Sequence, residues 1–483
     1  MKSYFPVRLP PAVKLLLYLS VGILLALSVK AFFEYSGNGF IYLLFTVVSN
    51  TLLYFGFRKR AILFDTFIAL FLWLGFWLKA SVRISFMGGE YNEPVGLFDG
   101  SGASYDQALL IASCGMLGFL VASMIREKFI FNYPEKLTGV ALSGLFRFYR
   151  EQRTFVLSAF MILVIAVAFT NAYFGIYQRG SVPQTVLPFG LNGVYTWLLL
   201  FGWASFTALI LHFEFEINKR TSYLVVILGL LESFFSNVSL LSRGMVLNTS
   251  ALVYGVIKSL KVNRIQSNFR FLIVSFLIFI VLFGTSVLTV NYLRANNVIG
   301  GSGSGSFQVE EVARANNSHQ IKILFLDRWV GIEGVMAVSS YPEKGWALWG
   351  TAWEETFSQK STTFYDLNII DTPYKNVDST VHHYVSMPGI IAFCFYPGSF
   401  LFLFACMVLI GLLAALIEVS VYKLGGKNII LCALLAQVVA YRVSHFGYVP
   451  KQSYLLFGTI YLNLFIIYFS DKVLSFWYNR QNP

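Results

Sequence analysis

The chain has 483 residues, of which 57% are hydrophobic, 17% aromatic and only 12% charged, with a mean hydropathy of +0.66. A soluble domain carries about 25% charged residues, so half that charge together with repeated apolar runs of about 20 residues excludes a soluble enzyme and disorder alike. The net charge of +12 is a nucleic-acid signal only if the charges cluster on a soluble face, and they do not.

Hydropathy predicts an all-α polytopic membrane protein with about twelve transmembrane helices, at 12–33, 39–57, 61–86, 105–124, 154–174, 191–212, 222–240, 244–258, 271–291, 395–420, 428–446 and 453–470. If the spans alternate, about 22 of the 36 Lys and Arg residues fall on the side of both termini, close to helix ends. By the positive-inside rule that side is the cytoplasm. The positive charge is therefore a topology signal, and no nucleic-acid partner is expected. On the cytoplasmic side, 137–148 reads as an amphipathic interfacial helix. The four cysteines all lie inside apolar runs, so they form no disulfide framework and no metal site is expected.

Three regions follow: helices one to nine over 1–291, a large loop over 292–387, and helices ten to twelve with a tail over 388–483. A loop of that length in a compact protein is usually functional. Its charge reverses that of the chain, with seven Lys/Arg against ten Asp/Glu, and it is rich in aromatic residues. Trp329, Trp346, Trp349 and Tyr365 are candidate glycan-binding residues, because flat apolar rings stack on sugar faces while polar neighbours take the hydroxyls. The competing reading is a small aromatic core. Helical spacing is predicted over 310–339, with Ile321, Leu324, Trp329, Ile332 and Met336 on one face and Pro342 beyond its end.

Arginines gather at the outer ends of the spans: Arg83, Arg243, Arg294 and Arg442. Arg243 stands in the tight turn Ser242-Arg243-Gly244, where a charge faces either a water-filled cavity or the headgroups. The guanidinium fork matches phosphate oxygens two at a time, so these residues are candidates for binding a phosphate-bearing lipid. Arg328 joins them from the loop. An acceptor hydroxyl needs a general base, and Asp327, Glu333, His319, His382 and His383 are candidates. Intramembrane acids are few: Asp65 and Glu418 near the cytoplasmic side, and Glu232 nearer mid-span. Only Glu232 suits a proton-driven transporter, and no matching repeat accompanies it.

The chain resembles the bacterial O-antigen polymerases (Wzy-type), membrane glycosyltransferases of the superfamily that includes O-antigen ligases. The resemblance lies in the dozen spans with one long loop before the last three, in Ser242-Arg243-Gly244, in Arg328-Trp329-Val330-Gly331-Ile332-Glu333-Gly334, and in His382-His383 ahead of Met387-Pro388-Gly389-Ile390-Ile391 and Tyr396-Pro397-Gly398-Ser399. The ligase-type pattern of the superfamily more usually has His-Asn where this chain has His382-His383-Tyr384, which favours polymerase over ligase. What the resemblance implies is an inverting transfer without metal or cofactor, in the bacterial inner membrane with the loop in the periplasm. Donor and acceptor are glycans on undecaprenyl pyrophosphate, the surrounding membrane lipids are partners, and a chain-length regulator protein is a further partner. It implies Arg243, Arg294, Arg83 and Arg442 at the pyrophosphate, Arg328 with Glu333 or His382 in catalysis, and His383 with the loop aromatics on glycan. An O-antigen ligase or protein O-oligosaccharyltransferase is the alternative, and a lipid-linked glycan transporter a more distant one.

Overall fold

The computed structural model describes residues 11–134, 141–218, 223–242, 244–262, 269–299, 326–357, 362–370, 372 and 385–481. In chain order the helices are α1 (Pro11–Glu34), α2 (Gly39–Phe57), α3 (Leu63–Phe86), α4 (Gly102–Phe129), α5 (Ser143–Glu151), α6 (Arg153–Phe174), α7 (Pro188–Asn218), α8 (Tyr223–Ser239), α9 (Met245–Val262) and α10 (Phe269–Ile299). The loop layer contributes α11 (Ile332–Ser340), α12 (Trp346–Trp353) and α13 (Phe364–Asn368). The chain then forms α14 (Ile390–Cys394), α15 (Phe400–Leu424), α16 (Ile429–Ser444) and α17 (Ser453–Gln481). Among the described residues there is no strand. Among the described residues eight helices are long and apolar enough to cross a membrane, and α8 and α16 are shorter apolar helices. The chain is a multi-pass helical membrane protein.

Local chemistry sets the helix ends. Asn38 accepts from the Phe40 N–H at 2.9 Å to start α2, Ser399 from Phe402 at 3.2 Å to start α15, and Asn428 from Ile430 at 2.9 Å to start α16. Gly175, at φ +57°, ends α6 in the left-handed conformation that suits glycine. The expected span 395–420 is shifted. Pro397 cannot continue a helix and Gly398 sits at φ +76°, so α14 stops at Cys394 and α15 begins only at Phe400. The expected interfacial helix is α5, displaced to 143–151 because Asp471 of α17 accepts the N–H groups of Gly144 at 2.9 Å and Leu145 at 3.1 Å and so fixes its first turn.

The core is centred on α16, whose residues Ile429 to Leu435 are all at most 1% exposed. Such a helix, apolar on every side, belongs inside a bundle. It packs against α3, α7, α9 and α15. The intramembrane acids serve this packing. Glu418 of α15 accepts the N–H groups of Leu63 and Phe64, both at 2.7 Å, and the Tyr133 hydroxyl at 2.5 Å. It thus satisfies two of the four N–H groups that a helix start leaves open, from another helix. Asp65 pairs with Arg126 at 2.6 Å and accepts from the Ser123 hydroxyl at 2.6 Å. Glu232 accepts from the Ser236 hydroxyl at 2.9 Å. Replacing Glu418 by Ala strands two buried N–H groups, so thermal unfolding in detergent should show a loss on the order of 3 kcal/mol. Glu418→Gln retains one acceptor and should lose less. Equal melting of the Ala variant and the parent would overturn the capping role.

Candidate functional site

The third helix is not regular. Trp73–Leu78 forms a π-helical turn within α3, a distortion that adds a residue to a turn and re-aims the side chains beyond it. Lys79 and Arg83 follow, one turn apart and both buried. A buried ammonium or guanidinium must find acidic partners, and both find them in the loop. The Lys79 ammonium donates to Glu333 at 2.8 Å and to the Trp329 carbonyl at 2.6 Å, with the Asp327 carbonyl at 3.3 Å. Arg83 pairs with Asp327, which also accepts from the Asn92 amide at 2.7 Å.

Asp327 to Glu333 is therefore hooked onto α3 at both of its acidic ends. Between them the backbone lies directly on the π turn. A Cβ on Gly331 would stand 1.9 Å from the Gly75 carbonyl oxygen, and a Cβ on Gly334 would stand 1.9 Å from that of Pro388. This contact corrects the helix expected over 310–339. Residues 310–325 lie outside the described residues; Leu326 and Asp327 are helical, the backbone leaves the helix over 328–331, where a helix would forfeit the fit of Gly331 onto Gly75, and α11 begins at Ile332. Trp329 turns inward and stacks on Phe71 of α3 at 5.6 Å and 23°.

What this turn presents is Arg328. It is half-buried and has no ion pair among the described residues. Burial pushes its guanidinium below its ordinary value, Tyr441 opposes that, and the neighbouring Arg179 charge adds to it. Like charges near each other in a partly dry recess disfavour the charged form of each. Arg179 is anchored by its own N–H to the Leu240 carbonyl at 3.0 Å, and its Nη1 stands 3.7 Å from where a Cβ on Gly244 would be. It therefore borders the turn Leu241-Ser242-Arg243-Gly244, in which Leu241 holds a φ of +50° and Ser242 accepts from the Gly244 N–H at 3.0 Å. His445 closes the recess, buried and stacked on Tyr441 at 3.9 Å.

Glu93 borders the same group of charges. Its side chain is exposed to water but closely surrounded by protein groups. Desolvation there, and then the nearby Glu333, raise its carboxyl above the usual range. It makes no ion pair among the described residues.

The expected site residues thus separate. Arg328 is half-buried, without an ion pair among the described residues. Arg83 and Glu333 are consumed in the clamp, so Arg83 is not open to a phosphate and Glu333 is not open to a hydroxyl. Arg442 donates to the Tyr448 carbonyl at 3.2 Å and the Ser453 hydroxyl at 3.1 Å, holding the connection from α16 to α17. Tyr365 is 3% exposed and belongs to the core, because α13 is drawn inward by Asp366, which accepts from Thr363, Thr372 and Ser386. Trp349 stacks on Trp353 at 5.5 Å and meets Phe402 edge-on, while Trp346 of the same helix stays 59% exposed. Arg294 lies in the last turns of α10. Arg243, His382 and His383 lie outside the described residues.

Sequence reasoning missed Lys79, Arg179 and Glu93. Lys79 carried a signal, as a lysine one turn before Arg83 within an otherwise apolar span. Arg179 and Glu93 sit in loops whose neighbours are set only by folding. No protein-family model, curated protein or solved structure matches this chain.

Lys79→Met leaves the Glu333 carboxylate buried without its cation, at a cost of about 3–5 kcal/mol. The double variant K79M/E333M should recover most of that loss in a thermal melt. If the double variant is as unstable as the sum of the single ones, the pair does not act as a unit.

Proposed function

We propose that the chain is a membrane glycosyltransferase that joins oligosaccharide repeat units carried on undecaprenyl pyrophosphate into a surface polysaccharide. On this reading twelve helices cross the bacterial inner membrane, both termini are cytoplasmic and the 292–387 loop is periplasmic. The observation that carries the proposal is Arg328, pushed forward between two buried ion pairs, without an ion pair of its own among the described residues and within reach of the Arg179 charge. A pyrophosphate leaving group gains negative charge as its bond to the sugar breaks, and preorganised cations in a recess of low polarity stabilise that charge. The Ser242-Arg243-Gly244 turn beside Arg179 adds a third arginine from the sequence.

In the reaction the acceptor hydroxyl oxygen attacks the anomeric carbon of the donor glycan. The bond from that carbon to the phosphate oxygen breaks, undecaprenyl pyrophosphate departs, and the configuration inverts. The proton of the attacking hydroxyl passes to a base. Glu93 suits this role better than Glu333: its carboxylate meets water, and its raised pKa brings it nearer the working pH, where a general base is most effective. His382 is the other candidate, on sequence. Trp346, exposed on the loop layer, suits stacking against a sugar ring.

Deletion in the native host should collapse the polysaccharide ladder on a gel to a single repeat unit attached to its anchor. Complementation with Arg328→Ala or Arg179→Ala should lower polymer yield by about 100-fold or more, as loss of one charge-stabilising donor does elsewhere. Arg328→Ala should leave the melting temperature unchanged, since it breaks no ion pair among the described residues. An intact ladder with Arg328→Ala would remove the assignment, and long polymer persisting on the lipid carrier after deletion would point to a ligase instead.

The base gives a separate test by pH. A raised carboxyl is protonated at mildly acidic pH and competent only above its pKa. Turnover of purified protein should therefore rise with pH and level off, and Glu93→Gln should abolish it. If Glu93→Gln keeps the parent's rate and pH profile while His382→Ala loses both, His382 is the base.

A further inference from the structure

In the last turn of α16, Tyr441 stands in a row of rings that begins at the clamp. Trp329 stacks on Phe71 at 5.6 Å, Phe71 meets Tyr441 edge-on at 6.0 Å and 84°, and Tyr441 stacks on His445 at 3.9 Å and 22°. Each neighbour is itself held. Phe71 is buried in α3, the Trp329 carbonyl accepts from the Lys79 ammonium at 2.6 Å, and His445 is buried with its Nδ1 2.9 Å from the Ser444 hydroxyl. The Tyr441 ring therefore has one face covered and one edge fixed, on the helix that forms the core of the bundle. The row also brings Tyr441 to Arg328, the residue before Trp329, and Tyr441 is among the groups that act on the Arg328 charge.

What distinguishes Tyr441 is its hydroxyl. A tyrosine packed inside a protein normally finds a partner for its polar tip, and the others of this bundle do so. Tyr35 donates to Asp106 at 2.9 Å, Tyr133 to Glu418 at 2.5 Å and Tyr149 to Glu214 at 2.7 Å. Tyr441 is half-buried, its hydroxyl makes no hydrogen bond among the described residues, and it is not one of the sealed polar atoms of the bundle. Arg328, also half-buried, makes no ion pair among the described residues either. A guanidinium fork by itself satisfies the two oxygens of a carboxylate. A phenol O–H beside that fork adds a donor of different direction, and a tetrahedral phosphate has the further oxygen to receive it.

We propose that Tyr441 is a further catalytic residue, whose hydroxyl donates a hydrogen bond to a non-bridging oxygen of the same phosphate that Arg328 holds. The proposal rests on the glycosyl-transfer reading and extends it from the loop to α16. As the bond from the anomeric carbon to the phosphate oxygen breaks, its electron pair passes to the departing pyrophosphate, and Arg328 and Tyr441 share that charge. The phenolic proton stays on Tyr441 throughout. A donor whose ring is already fixed by its neighbours has little reorganisation left to make as the charge develops, which is where such stabilisation acts.

Tyr441→Phe tests this, since it removes the hydroxyl and keeps the row of rings. Full-length protein in a mild detergent is assayed for turnover of lipid-linked repeat units and for binding of a short-chain isoprenyl pyrophosphate, which carries the leaving group without a glycan. The variant should melt like the parent. Its kcat should fall about 10- to 100-fold, the worth of one hydrogen bond to a charged group, with KM for the acceptor glycan unchanged and pyrophosphate binding weakened by a similar factor. R328A/Y441F should lose less than the product of the two single losses, because both groups act on one phosphate. If Tyr441→Phe binds and turns over as the parent does while Arg328→Ala loses both, the role of Tyr441 is overturned and the glycosyl-transfer reading stands. A raised acceptor KM with unchanged pyrophosphate binding would place Tyr441 on the glycan and overturn the proposal, as would a melt well below the parent's, which would mean that the hydroxyl is spent on the fold. Parent protein that neither turns over repeat units nor binds the pyrophosphate would overturn the reading and this proposal together.

Discussion

Two buried ion pairs, Lys79 with Glu333 and Arg83 with Asp327, fix where everything on the loop side of this protein stands. The cations belong to the bundle and the carboxylates to the loop, so neither partner is satisfied until the loop docks. A buried ion pair contributes little net stability once desolvation is counted, yet leaving one member alone is costly. Such pairs therefore act less as glue than as a register mark. They permit one docked position of Asp327 to Glu333 and penalise its neighbours. The Gly75–Gly331 contact narrows the choice further, since a backbone-to-backbone approach that close leaves no room for sliding.

The same logic explains why Arg328 is the informative residue. In a segment where both flanking acids are engaged by cations of α3, the one cation of the segment has no carboxylate partner among the described residues. It is held half-buried and brought near Arg179, which raises rather than relieves the local positive charge. The fold thus places two arginines near each other, with Asp327 and Glu333 engaged by Lys79 and Arg83. At the other end of the bundle the polar groups are instead closed upon themselves. Glu418 caps α3, Asp65 holds Arg126, and Glu214 binds both Tyr149 and Arg153 at 2.7 Å and 2.5 Å. That end has the character of a structural clasp, and the loop end that of a receptive surface.

Helix positions were legible in the sequence because span length and hydropathy are set by the bilayer, which acts on each segment independently of its neighbours. Expected 39–57 coincides with α2, and expected 154–174 with α6 to within one residue. The failures share a cause. The span expected from 395 begins at Phe400 because Pro397 and Gly398 outweigh the apolar run. The loop helix breaks at Gly331 because docking on Gly75 outweighs local helical spacing. The aromatic residues of the loop were ambiguous for a physical reason, since the same flat rings serve a core and a sugar-binding face. Only packing separates Tyr365, which is buried, from Trp346, which is exposed.

Composition and hydropathy by themselves determined that this is a multi-pass helical membrane protein and which segments are its helices, because transfer into a hydrocarbon layer is a property of each segment. Which arginine has no ion pair among the described residues was decided only by the tertiary structure. Arg83, Arg328 and Arg442 are alike in sequence, each a cation at the edge of an apolar stretch. Whether each is spent on a carboxylate, on a carbonyl or, among the described residues, on no ion pair depends on residues up to 244 positions away. Electrostatic pairing is settled by distance in space, and distance in space is what hydropathy and periodicity do not carry.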